Sequence, residues 1–149
     1  RGHRNTEIYM VTREDLESLL LRMDLEYEEV DPGMFLVHGR QSGLSMVVHH
    51  ADALLLIRMK LMDLPGPENG KIELYRTLLE LNASDVVHGA YGIEDGELII
   101  SDTLELETLD FHELRASMES MELAAMGHME RIRSLAGVAT ETSAARAGS

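Results

Sequence analysis

Seven histidines, a surplus of carboxylates and no cysteine are the raw material from which this chain could build chemistry. A metal centre needs three or four donors converging at set spacing. His49 and His50 are adjacent on a predicted strand, so their imidazoles point to opposite faces and cannot chelate together. A site would have to bring His38, one of that pair and a carboxylate together across strands. In the C-terminal third, "HELR" and "HMER" place a histidine one or two residues before a glutamate, which separates the two around a helix. No HExxH or related spacing occurs. The histidines therefore read as structural or surface residues, and neither a metal nor a cofactor is expected.

Nucleophilic catalysis has no better footing. None of Ser42, Ser45, Ser101 and Ser117 lies in a G-x-S-x-G turn, and the nearest approach, "GLSMV" around Ser45, lacks the second glycine. The absence of cysteine excludes thiolate catalysis, disulfides and cysteine-ligated zinc. No glycine-rich phosphate cradle is present. The carboxylate runs "EEVD" and "ELETLD" read as solvated edges or turns. The stretch "HGAYGIEDGELIIS", His88 to Ser101, looks like an active-site loop, yet Asp95-Gly96 is a two-residue hairpin signal. His88 and Tyr91 are three apart, so on a strand they face opposite sides. The chain is not expected to be an enzyme.

The balance of charge narrows the partners. A formal net charge of -14 over 149 residues repels phosphate backbones and anionic lipid, so neither nucleic acid nor membrane is expected. With no apolar run of about 18 residues and no signal-peptide pattern, a cytoplasmic location is the expectation. A mass of 16.6 kDa suits one domain with a core of its own. Residues 1–11, which open without periodicity, are set apart as an N-terminal extension. The domain is expected over 12–136, and "VATETSAARAGS", within 137–149, reads as a disordered tail.

The elements that would position any site are legible as an α+β pattern. Thr12 can cap a first helix whose Leu16, Leu19, Leu20 and Met23 follow one buried face. Short runs follow, "EYEEV", "MFLVH", "LSMVVHH" and "LLLIRMKLM", separated by turn residues and close enough to require hairpins. After "DLPGPENG" a second helix carries Leu74, Tyr75, Leu78 and Leu81, with Asn82 as its left-handed stop. Two strands joined at Asp95-Gly96 and a third helix, capped by Asp110 with Glu113, complete the order α-β-β-β(-β)-α-β-β-α around a single antiparallel sheet of five or six strands.

Two surfaces stand out. In the fourth run Leu55, Ile57, Met59 and Leu61 read as core, while Leu54 and Leu56 fall on the other face. Phe35 and Val37, or else Met34 and Leu36, must join that second face. A sheet apolar on both faces is covered twice or used for contact, and Phe35, Leu54 and Leu56 are taken as partner-facing. In the third helix Phe111, Leu114, Met118, Met121, Ala125, Met129 and Ile132 form a stripe roughly 80° wide at 100° per residue. Unbroken, that helix is about 37 Å long, against ~17–20 Å for an ordinary strand. The overhang would need a second copy of the chain, or Gly127 would have to kink it back. Met118, Met121, Met129 and Ile132 are therefore assigned to self-association.

From Leu74 to Leu114, "LYRTLLELN…HGAYGIEDGELIISDTLELETLDFHEL", the sequence resembles the YbjN-type proteins, whose fold is that of the type III secretion chaperones of the Tir/CesT-like superfamily. The resemblance implies a secretion chaperone-like α+β domain, commonly a homodimer. In the chaperone branch an unfolded client segment lies over apolar patches. In the YbjN branch the implied role is a regulatory or stress-response module sensing a small ligand or a signalling protein. The first expectation is a non-enzymatic, chaperone-like homodimer that holds a client polypeptide; the regulatory module is the alternative.

Overall fold

The computed structural model describes residues 10–66 and 71–138, and the segments 1–9, 67–70 and 139–149 lie outside the described residues. The expected extension, through residue 9, and the expected disordered tail, from residue 139, fall in these segments.

Helix α1 (Arg13–Arg22) begins at a full capping box. The Thr12 hydroxyl accepts from the Asp15 amide at 3.1 Å, and the Asp15 carboxylate accepts from the Thr12 amide at 3.0 Å, so two otherwise orphaned donors are satisfied. Four strands follow, β1 (Tyr27–Asp31), β2 (Met34–His38), β3 (Ser45–Ala51) and β4 (Leu54–Asp63). Helix α2 (Ile72–Ser84), β5 (Ala90–Glu94), β6 (Glu97–Glu105) and α3 (Phe111–Ala136) complete the order among the described residues. The expected α+β order is thus present with six strands, all in one antiparallel sheet ordered β1-β2-β3-β4-β6-β5. Asp95 and Gly96 join β5 to β6 with φ of 51° and 76°, the paired positive values that a type I′ hairpin requires.

One face of the sheet carries the core. Register aligns Phe35 with Val48 and Val48 with Ile57, and Val37 with Met46, Met59 and Ile100 in turn. All of these side chains are buried, under Leu16 and Leu20 of α1, Leu74, Leu78 and Leu81 of α2, and the stripe of α3. The Arg22 guanidinium sits 4.1 Å from the centre of the Phe111 ring, a cation–π contact that ties the end of α1 to the start of α3.

Several expectations are corrected. Phe35 is not partner-facing: it is fully buried on the helix-covered face, because a bulge at Val30 and the tight β1–β2 turn set the β2 register so that Met34 and Leu36 point the other way. Met118, Met121 and Ile132 are likewise internal, and Met129 is half-buried against the same core. Helix α3 runs unbroken through Gly127, and its far half packs into the same core as α2. Lys71 Nζ, just before α2, donates to the Ala136 carbonyl at 3.1 Å and marks how far along α3 that packing reaches. Asn82 does not end α2, which continues to Ser84. Residues on either side of 12–136 also touch the core. Val11 is buried, with its amide bonded to Leu106 O at 3.0 Å and its carbonyl to His50 Nε2 at 2.8 Å. Val138 packs on the core after a left-handed cap at Gly137.

Candidate functional site

The helices pack on one face of the sheet, so among the described residues the other is open, and side chains arrive there in cross-strand rungs. One rung runs Leu36, Val47, Arg58, Ser101, Ala90 from β2 to β5; the next runs Met34, His49, Leu56, Thr103; a third holds Ala51, Leu54 and Glu105. Leu54 and Leu56 are exposed at 41% and 38%, and Met34, Leu36, Val47 and His49 are half-buried by each other. Of the expected partner-facing residues, the structure brings Leu54 and Leu56 together here and places Phe35 beneath them in the core. Met34, Leu36 and Val47 complete the patch. In β2 every position from Met34 to Val37 is apolar, so period-two alternation could not choose between the faces.

At its far end the open face turns from apolar to ionic. Lys60 Nζ lies 2.6 Å from Glu97 Oε2 and 3.0 Å from Asp63 Oδ1, while Arg58 Nη2 lies 3.3 Å from Glu97 Oε1 and 3.6 Å from Glu94 Oε1. The hydrogen bond from Lys60 holds the Glu97 carboxyl below the usual range, with Arg58 adding to it. Reciprocally, the bonds to Glu97 and Asp63 raise the Lys60 ammonium. These charges compensate one another in place.

A second concavity lies between the sheet and the helices, with a volume of about 260 Å³. Met23, Val37, Met46, Met118 and Leu123 give it an apolar lining, and Arg40, Arg115, Glu119 and Glu122 stand around it. Its wall is the β2–β3 loop, fastened to α3 because Glu122 accepts from the Ser42 amide at 3.0 Å and from the Ser42 hydroxyl. Gly39 permits this approach: a Cβ there would overlap the Glu122 carboxylate and lie 2.9 Å from the Leu44 carbonyl. Thioether side chains adapt their shape, so such a lining accepts varied apolar groups.

The described histidines do not gather. His49 faces the open side, whereas His50 reaches back to Val11, and the His38 ring bonds Ser45 Oγ at 3.1 Å. Among the described residues no three His, Asp or Glu side chains are placed to hold a metal ion. His128 is the most engaged, with Nδ1 2.7 Å from Tyr91 Oη and Nε2 3.3 Å from Asp85 Oδ2. Through its two ring nitrogens His128 joins α3 to β5 and to the end of α2. Burial, and then the Asp85 carboxylate, push the Tyr91 phenol well above the ordinary tyrosine range.

A family model described as CesT_Tir_1 matches residues 10–137. None of the curated proteins matches. Among solved structures, a chain of the heterodimeric ExoU–SpcU complex from the type III secretion system of Pseudomonas aeruginosa is 15% identical with a TM-score of 0.61, over 80% of this chain and 96% of that one. YbjN from E. coli is 14% identical with a TM-score of 0.62, over 83% and 96%. The Yersinia pestis type III secretion chaperone SycH, solved in complex with a stable fragment of YscM2, is 18% identical with a TM-score of 0.55, over 77% and 98%. At these identities the likeness is one of fold.

Proposed function

The chain belongs to the CesT_Tir_1 family, and from that premise we propose that it is a non-enzymatic, chaperone-like protein that holds a partner polypeptide on the open face of its sheet and works as a homodimer. The observation that carries this reading is the one-sided sheet, whose contiguous apolar rungs, with Leu54 and Leu56 exposed, have no covering element among the described residues. Apolar surface left contiguous on a soluble chain marks a contact site. Two structures of this fold were solved in complexes, ExoU with SpcU and SycH with a fragment of YscM2, which fits a polypeptide as the occupant. The net charge of -14 keeps such a surface soluble.

Self-association draws support from α2, where Ile72 and Leu79 are exposed at 71% and 69% with Tyr75 between them. The methionine-lined concavity supports a second reading, a regulatory module whose ligand enters between sheet and helices. The test is affinity capture with the wild-type chain and with Leu54→Asp/Leu56→Asp from the same lysate. A polypeptide retained by the wild type and lost from the variant supports the first reading; identical captures from both favour the second.

A further inference from the structure

The chemistry around the open face restricts what can lie on it, an inference that rests on the partner-binding reading above. The apolar side chains of the rungs, Met34 and Leu36 on β2, Val47 and Ala51 on β3 and Leu54 and Leu56 on β4, are spread over ~10 Å between the outer strands, and three successive rungs on one face span ~14 Å along the strands. That footprint is the width of one α-helix with its side chains, about 10–12 Å, over two to three turns.

An extended segment is a poor occupant. Lying on the face, the peptide groups it turns towards the apolar side chains would give up water without gaining partners. Addition at an edge is obstructed at β5, where the Tyr91 amide donates to Asn82 Oδ1 at 2.7 Å and Asn82 Nδ2 donates to the Tyr91 carbonyl at 3.1 Å. At the β1 edge the Val30 bulge and neighbouring carboxylates do the same. A helix satisfies its own backbone and needs only an apolar bed.

The border of that bed is acidic. Glu28 flanks Leu36, Asp31 flanks Met34, Glu105 flanks Leu54, and Asp52 stands at the adjoining turn. All four are exposed, and among the described residues none is in an ion pair. The cations of this face, Arg58 and Lys60, are already taken up by Glu94, Glu97 and Asp63. We infer that the open face binds a basic amphipathic helix, with apolar side chains at i, i+3 or i+4, and i+7 on the Leu36, Val47, Leu54 and Leu56 rungs and Lys or Arg on its flanks against Glu28, Asp31, Asp52 and Glu105. The same border repels acidic segments and so sorts partners by charge as well as by shape.

The experiment uses three labelled synthetic helical peptides with one leucine stripe, flanked by Lys, by Ser or by Glu, titrated against the full chain by fluorescence anisotropy. The Lys-flanked peptide is expected to bind roughly tenfold tighter than the Glu-flanked one, with the gap shrinking as salt rises from about 0.02 to about 0.3 M. Glu28→Gln/Asp31→Asn should weaken the Lys-flanked peptide severalfold and leave the Ser-flanked one unchanged. Leu56→Asp should abolish both, with Leu54→Ser as a milder variant and circular dichroism to check that each folds. Equal binding of the Glu-flanked peptide would overturn the charge assignment while leaving a polypeptide-binding face intact. Binding of all three unchanged by Leu56→Asp and Leu54→Ser would overturn the face itself.

Discussion

Asn82 and Tyr91 are paired twice, the side-chain amide of one taking both the N–H and the C=O of the other, at 2.7 and 3.1 Å. The peptide groups of Tyr91 that turn away from β6 thereby meet a mimic of the next strand. Asn82→Ala leaves these two groups unpaired beside a buried ring and is expected to cost about 1–3 kcal/mol, measured by denaturant unfolding. It also bares the β5 edge, so light scattering should detect more association with rising concentration. Unchanged stability and association in the variant would show that water replaces the amide without loss.

Two substitutions separate the faces of the sheet. Phe35→Ala removes a fully buried ring and should cost about 3–5 kcal/mol. Leu56→Ser, on the open side, should change stability by no more than about 0.5 kcal/mol and still lose partner capture. A Phe35→Ala protein as stable as the wild type would contradict its place in the core.

Thr108 adopts φ of 64° in the loop that leads into α3. A β-branched residue is a clear outlier there, and the left-handed backbone costs roughly 1–2 kcal/mol outside glycine. Thr108→Gly should therefore raise stability by up to about 1 kcal/mol after the added freedom of the unfolded chain is subtracted. A fall in melting temperature would mean that the hydroxyl bond to the Glu107 carbonyl, at 2.5 Å, matters more than the strain.

The pH dependence has a worked sign at both ends. Tyr91 and Lys60 have folded-state pKa values raised above their unfolded ones, so their contributions are complete below about pH 10 and are lost as pH climbs through the folded values. Glu97 is depressed; its contribution is present above about pH 4.3 and fades as pH falls through the lower folded value. A phenolate absorbance titration should show Tyr91 ionising only with alkaline unfolding, and Tyr91→Phe should flatten that limb. Ionisation of every tyrosine before unfolding would contradict the buried phenol.

Leu79→Asp, on the exposed row of α2, should shift the chain towards monomer in light scattering while circular dichroism stays the same. A variant that keeps the wild-type mass would remove α2 from the interface.

The helix and strand order was legible because each amphipathic period had the right length and its caps and turns were local: the Thr12 box, Asp95-Gly96, Asp110 with Glu113. The fourth strand disclosed its two faces, since Leu55, Ile57 and Met59 alternate with side chains that turn basic. The second strand did not, because Met34 to Val37 is apolar throughout and only its register with β1 and β3 decides that Phe35 goes inward. The stripe of α3 announced burial but not its cover. Length compared with a single strand suggested an overhang, whereas α2 extends the platform beyond the sheet. Asn82 has the conformational freedom of a helix stop, yet its use is a bond to Tyr91 across the fold, which no local pattern encodes.

The alternation of β4 also uncouples two kinds of change. Odd positions from Leu55 to Leu61 answer to the core, where a lost methylene is felt by every neighbour. Even positions such as Leu54 and Leu56 answer only to whatever is bound. Such a chain can drift in the identity of its partner by single, stability-neutral steps on one side of a sheet, while the opposite side keeps the backbone in place. Retargeting the protein by design is then a problem in one layer of side chains, with no refolding of the scaffold that carries them.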